Sequence, residues 1–433
     1  MTKLILIIVL LILFVGIMVV FSHENWDYVS FSLLAAFISV LITVKYYPEL
    51  SFNTFLAYIE FDPIIFIISM QIIIMISEKH KIFQWIALKT LHLTKGNHRK
   101  FFYLICIISS LSASIIADIT VAIIFIPLVI RACKILKINP APYLFGISFT
   151  INIGSLYTPF SSSENILIGA SFFLDLPWFL SKFSLYVFPM LGLTLFILDF
   201  TMLRKIKAPT EQQKLILLEI MDPNLVIVSK TQFILNFIYL GAVITGFLFP
   251  INAWIVAALG AILMSILNRE KISDSLAKID WKIIFFFISL FLMIGCMQIS
   301  ELFEIIAGWT AFILSENILL SSIIILILIG ILSGFLAQVP TAIVFISLLK
   351  NIYGFSNGAV PDLILMAFLL GINLGSNFLP QGAACDLMAL NLAEKNGVKE
   401  FNYKSLLKNG SMITLFHIFF SIIYLSIFYL ILY

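Results

Sequence analysis

Two segments of this chain repeat each other in register. Asn152-Ile153-Gly154-Ser155 is followed by Pro159, and Asn373-Leu374-Gly375-Ser376, 221 residues later, is followed by Pro380 at the same offset. At a shift of 220, Ile59-Glu60-Phe61-Asp62-Pro63 falls on Ile279-Asp280-Trp281-Lys282-Ile283, and Ala117-Asp118-Ile119-Thr120 falls on Ala337-Gln338-Val339-Pro340. Apolar identities arise by chance in an apolar chain. A recurring Asn-x-Gly-Ser-x3-Pro does not, and it marks an internal duplication.

The repeats lie in a chain that needs lipid as solvent. Of 433 residues, 61% are hydrophobic and 11% charged, with mean hydropathy +1.11. Soluble domains carry about 25% charged residues. Apolar runs occupy 4–21, 28–44, 63–77, 101–130, 143–173, 183–203, 233–249, 253–267, 283–299, 318–349, 363–392 and 412–433. Spanning the bilayer takes about 20 residues, so most are single spans. The first run is read as a retained span, because His23-Glu24-Asn25-Trp26 is no small-residue cleavage site. Cys106, Cys133, Cys296 and Cys385 have no metal or redox spacing and are read as apolar-phase residues. A net charge of +3 carries no nucleic-acid signature.

Basic residues orient the spans. Lys79, Lys81, Lys89, Lys95, Arg99 and Lys100 precede run 101–130, and Arg131, Lys134 and Lys137 follow it. Both of its ends belong in the cytoplasm, so the run predicts a re-entrant hairpin with its weak point at Ser109–Ser114, followed by Asp118. The basic residues of 204–230 make a cytoplasmic linker. The same count makes 318–349 a second hairpin, opening outside. The expected architecture is an all-α polytopic membrane protein of two inverted repeats, 1–203 and 231–433. Each has five transmembrane helices and one hairpin, with discontinuous helices (143–173 and 363–392) at the midplane. Five spans per half is odd, so the second copy is inverted; inverted repeats with broken helices are a transporter signature.

The broken helices carry the candidate site. Gly154 permits unusual backbone angles and Pro159 blocks helix, so the chain should unwind there. Irregular backbone at membrane depth persists only where it is buried or lines a wet cavity. Ser161, Ser162 and Ser163 stand where the second half-helix begins, and a helix N-terminus suits an anion. Asn152, Gly154, Ser155, Thr158 and Asn165 complete the first substrate-binding set, and Asn373, Gly375, Ser376, Asn377, Gln381 and Gly382 form the second. Asp118 and Thr120 at the first hairpin, Gln338 and Thr341 at the second, with Asn152 and Asn373, form the cation-coupling set for a sodium ion or a proton, because an intramembrane acid is costly and marks function. Structural readings compete: the asparagines can bond freed backbone groups, the serines can cap a helix, and Glu164 and Asp386 read as helix-start acids. His417 reads as a packed polar residue.

Asn152-Ile153-Gly154-Ser155, Thr158-Pro159 and Asn165, with the second copy at Asn373–Asn377, resemble the ion transporter superfamily. The likeness is to its arsenite-permease and sodium/proton-antiporter branch and the related divalent-anion symporters with a citrate-transporter-like domain. Ser161-Ser162-Ser163 replaces the family's Gly-Asn-Pro, and Asp118 and Gln338 replace its usual hairpin Asn. The resemblance implies secondary transport in a cell membrane, often as a homodimer, and a soluble ATPase partner in an arsenite-pump-like member; the lean of the composition to Ile, Lys and Asn fits an AT-rich prokaryotic genome.

The leading expectation is a cation-coupled transporter of a small inorganic or organic anion of the arsenite, carboxylate or sulfate class. The alternative is a sodium/proton antiporter. No nucleotide loop, nucleophile–base pair or His-rich metal motif suggests an enzyme or a cofactor beyond Na+ or H+.

Overall fold

The structure, a computed structural model, describes residues 3–21, 26–249, 251–305, 317–353 and 360–432. The stretch read as lacking a cleavage site, apart from Trp26, and Pro250 and Tyr433, at the ends of expected spans, lie outside the described residues. Among the described residues the chain is helical and has no strand.

The first half comprises α1 (Lys3–Phe21), α2 (Tyr28–Tyr46), the short α3 (Phe52–Leu56), α4 (Phe61–Lys79), α5 (Ile82–Leu93), α6 (His98–Ala113), α7 (Asp118–Leu136), α8 (Ala141–Ser155), α9 (Ser163–Ser171) and α10 (Leu176–Thr201). A linking stretch with α11 (Glu211–Ile220) leads into α12 (Lys230–Gly246), α13 (Ala253–Leu267), α14 (Ile272–Leu276) and α15 (Trp281–Ile299). Then come α16 (Ile318–Leu336), α17 (Gln338–Tyr353), α18 (Asp362–Gly375), α19 (Ala384–Lys395) and α20 (Tyr403–Leu432). Element by element, α1–α4 match α12–α15, α6–α7 match α16–α17, α8–α9 match α18–α19, and α10 matches α20. Seven described helices are long and apolar enough to cross a membrane. The broken helices are not among them, because each is two half-helices. Helix α5, in a stretch the sequence marked only as basic, buries Ile82, Phe83, Ala87, Leu88 and Leu91 on one face.

The packing is crossed. Helix α2 lies on α15 and α13 lies on α4, so each half's outer helix covers the other half's scaffold helix. Within a half, the first hairpin limb lies along the first half-helix: α6 on α8, and α16 on α18. Between halves, α19 packs on α7 and α17 packs on α9. Lipid gives apolar side chains no drive to associate, so close backbone approach carries much of this packing.

Each hairpin tip reaches the broken helix of its own half. Helices α7 and α8 are joined by residues 137–140 and run back together. The start of α7, at Asp118, therefore stands level with the end of α8, at Ser155, about 22 Å up a helix of 15 residues. Thr158 Oγ1 donates to Ser114 O at 2.5 Å and Ser155 Oγ donates to Asp118 Oδ1 at 2.7 Å. The first hairpin tip thus meets the break of its own half. In the second half, Gln338 Nε2 donates to Ser376 Oγ at 3.1 Å.

The glycines of the repeated motif have a different role from the one expected. Neither Gly154 nor Gly375 is in the left-handed region; both are helical. A Cβ at Gly154 would lie 2.1 Å from Ser110 O, and one at Gly375 would lie 2.3 Å from Gly330 Cα. They let a hairpin limb touch a half-helix backbone to backbone, which is the small-residue packing of membrane interfaces.

Candidate functional site

Residues 156–162 separate α8 from α9, and the carbonyls freed there are bonded locally. Ser161 Oγ donates to Ser155 O at 2.6 Å and Thr158 O at 3.0 Å; Asn165 Nδ2 donates to Ser155 O at 2.7 Å. Ser162 is the N-cap of α9 and accepts from Asn165 N at 3.4 Å, while Ser163 is the first helical residue. Two of the three serines therefore hold the break in shape. Ser162→Ala should lower stability by about 1 kcal/mol, read as a drop in the thermal unfolding midpoint of the purified protein.

At the centre the two broken helices bond to each other. Asn152 Nδ2 donates to Asn377 Oδ1 at 2.7 Å, and Asn373 Nδ2 donates to Asn165 Oδ1 at 2.9 Å. Ser148, on α8, donates to Asp386 Oδ1 in the first turn of α19. Cys385 Sγ lies 3.6 Å from Asn152 Oδ1. All these residues are buried. Asn373 Oδ1, Asn377 Nδ2, Asp386 Oδ2 and Glu164 Oε1 are buried with no hydrogen-bond partner in the structure. Buried polar atoms are nearly always paired, so four unpaired atoms in the segments flanking the two breaks make this the candidate site.

Three acids face this point. Asp118 lies within electrostatic reach of both Glu164 and Asp386, and Cys385 within reach of all three. All three carboxylates are buried, whereas no described lysine or arginine is. Among the described residues no group of His, Cys, Asp and Glu has metal-binding geometry.

Not every expected residue converges here. Gln381 accepts from Tyr403 OH at 2.8 Å, on the exposed start of α20, and is turned away from the cluster. Thr120 is half-buried, has no side-chain hydrogen bond in the structure and is not part of the cluster. Thr341 Oγ1 bonds Ala337 O of its own helix at 2.8 Å. Gly382 fits tightly under Ser376, whose O would lie 2.2 Å from a Cβ. Conversely, Glu164 and Asp386, read as helix-start acids, and Cys385, read as inert, belong to the cluster, as does Ser148, which the sequence did not single out. The 221-residue register carried the signal for one of them: it lays Asn165 on Asp386.

Three rings pack together beside the unwound segment. Phe160 of the unwound segment stacks on Phe247 at 4.4 Å between centroids, and Phe66 of α4 lies 5.8 Å from Phe247. Above them is a cavity of about 310 Å³ lined by Phe66, Pro159, Phe160 and Phe247, with Asp62 and Asp175. Glu60, at the N-cap of α4, links that helix to α9 and α17: it accepts from Ser171 Oγ and from Lys350 Nζ, each at 3.1 Å.

The sequence profile of the citrate-transporter family matches residues 4–372. This chain belongs to that family. The match fits the ion transporter superfamily that the repeated motif resembles. Among curated relatives, a 46 kDa membrane protein of Mycobacterium leprae is 22% identical over 387 residues, covering 86% of this chain and 87% of its own. An uncharacterized transporter of Mycobacterium tuberculosis is 22% identical over 383 residues, with the same coverage. The mouse P protein is 21% identical, and the match covers 78% of this chain and half of that protein. Among solved structures, the Alcanivorax borkumensis YdaH transporter superposes with a TM-score of 0.58 at 11% identity, over 90% of this chain and 89% of that one. That likeness bears on the fold. The chain is a multi-pass membrane transporter of the citrate-transporter family.

Proposed function

We propose that this transporter carries a small carboxylate or oxyanion together with protons or sodium ions, by alternating access about the crossed half-helices. The single observation behind this reading is the composition of the cluster. Three buried acids, Asp118, Glu164 and Asp386, accompany the unpaired amide atoms of Asn373 and Asn377, at the end of α18 and just beyond it, with no buried lysine or arginine among the described residues. The two helix N-termini offer N–H groups and positive dipole ends to an anion. Ionised carboxylates around it oppose that binding, and in a low-dielectric interior the opposition is strong. An anion enters when the acids carry protons or a metal cation, so anion and cation bind together and move together.

Uptake into proteoliposomes of labelled citrate, sulfate and arsenite, with pH and sodium gradients imposed separately, tests the reading. Accumulation of one of them driven by one gradient is expected. The second reading, sodium/proton antiport, draws on the same absence of a buried lysine or arginine among the described residues, since the acids could exchange proton for sodium with no anion present. Sodium-driven proton flux without added anion, and no anion uptake, would favour it over the first.

A further inference from the structure

A second cavity lies at the opposite face of the protein, away from the acid cluster. It has a volume of about 520 Å³ and is lined by Lys137, Lys205 and Lys207, with Glu400 as its one acid. The three lysines come from two places: Lys137 from the turn joining α7 to α8, and Lys205 and Lys207 from the stretch that follows α10. None of the three takes part in an ion pair among the described residues. Lys137 sits at φ 55°, a left-handed position that favours glycine, yet carries a long cationic side chain there. The remaining walls are mostly apolar, with Pro142, Phe145, Met202 and Ile206 beside the polar Asn139 and Thr201. The residues between α19 and α20 close one side, where Phe401 packs on Phe145 with ring centroids 4.7 Å apart.

We propose that this cavity binds the phosphate-bearing headgroup of an anionic membrane lipid. Three unpaired ammonium groups against one carboxylate make a net positive pocket. Basic residues place this face of the protein in the cytoplasm, where pockets of this kind meet anionic headgroups. The lining suits an amphiphile better than a free anion: lysine heads reach the phosphate while their stems and the apolar wall cover the glycerol and upper acyl carbons. A lipid held here joins the start of the first broken helix, through Lys137, to the linker between the halves, through Lys205 and Lys207. It therefore bears on how freely α8 moves against α10.

The purified full-length protein in detergent gives the test. Its thermal unfolding midpoint is measured with added phosphatidylglycerol, phosphatidylcholine or inorganic phosphate. Phosphatidylglycerol is expected to raise the midpoint by a few degrees over phosphatidylcholine. The combined Lys137→Gln, Lys205→Gln, Lys207→Gln variant should lose that shift while keeping its midpoint in phosphatidylcholine. A second variant, Lys399→Gln, Lys404→Gln, Lys408→Gln, removes the same charge elsewhere on this face and should retain the shift. No phosphatidylglycerol shift in the unmodified protein, or an equal shift in the first variant, overturns the site. Equal loss in both variants reduces it to general surface charge. An equal rise with inorganic phosphate overturns the lipid and leaves a free-anion site.

Discussion

Asp118→Asn is expected to abolish gradient-driven accumulation, by roughly 100-fold, which is the scale of a coupling free energy between two ligands. Asp118 is the charge at the tip of the first hairpin, buried, with Ser155 Oγ donating to it at 2.7 Å. Asparagine keeps the acceptor for that hydrogen bond and nearly the same volume, so the hairpin should still seat on the break. What is lost is the ability to gain and release a proton or to neutralise a bound cation. Initial rates under an imposed gradient, beside equilibrium exchange of labelled substrate with no gradient, separate these effects. Loss of accumulation with exchange retained is the expected pattern. Accumulation equal to that of the unmodified protein would remove Asp118 from coupling and turn attention to Glu164 and Asp386.

Gly375→Ala is expected to be among the most damaging single-methyl changes in the molecule. Its Cβ would meet Gly330 at 2.3 Å to Cα and 2.4 Å to O, all backbone, so no side-chain rotation relieves the clash. Helices α16 and α18 would have to separate, at a cost of about 3 kcal/mol, the upper range for overpacked cores. Gly154→Ala meets Ser110 O at 2.1 Å and should behave alike in the other half. Gly192, in α10, has no neighbour within 4 Å of a built Cβ, so Gly192→Ala serves as the control. There the gain in helix propensity should leave stability unchanged or raised by about 0.5–1 kcal/mol. Thermal unfolding of the three variants, with expression level, checks the order; an unaffected Gly375→Ala would mean that the limb and half-helix are not held in contact.

Much of the architecture could be read from the chain because membrane physics leaves few choices. Apolar run length, lysine placement and the repeated Asn-x-Gly-Ser-x3-Pro lead to an all-helical polytopic protein with broken helices, and Pro159 does lie in the non-helical stretch 156–162. Local chemistry led astray at the glycines. The sequence reads Gly154 as a site of backbone freedom, whereas Gly154 and Gly375 alike provide closeness to another helix, and only the partner's backbone reveals that. The acids show the same limit. Glu164 and Asp386 look like ordinary first-turn carboxylates, and each does sit in the first turn of its half-helix. They are buried together because α8–α9 and α18–α19 cross, and crossing depends on contacts more than 200 residues apart, such as Ser148 with Asp386. Gln381 is the converse case: polar and well placed in the motif, it is drawn off by Tyr403 from a neighbouring helix.

The exchange of scaffold helices between halves has a consequence for biosynthesis. Helix α4 receives its cover from α13, and α2 finds its partner in α15. At ordinary synthesis rates of about 5–20 residues per second, the first half waits on the order of ten seconds or more before its missing neighbours leave the ribosome. During that interval its polar hairpin and unwound segment have no companion repeat to enclose them. The first half completes its packing only when the C-terminal half arrives. Cutting the gene at the linker should therefore yield two fragments that survive when made together and are degraded when made apart.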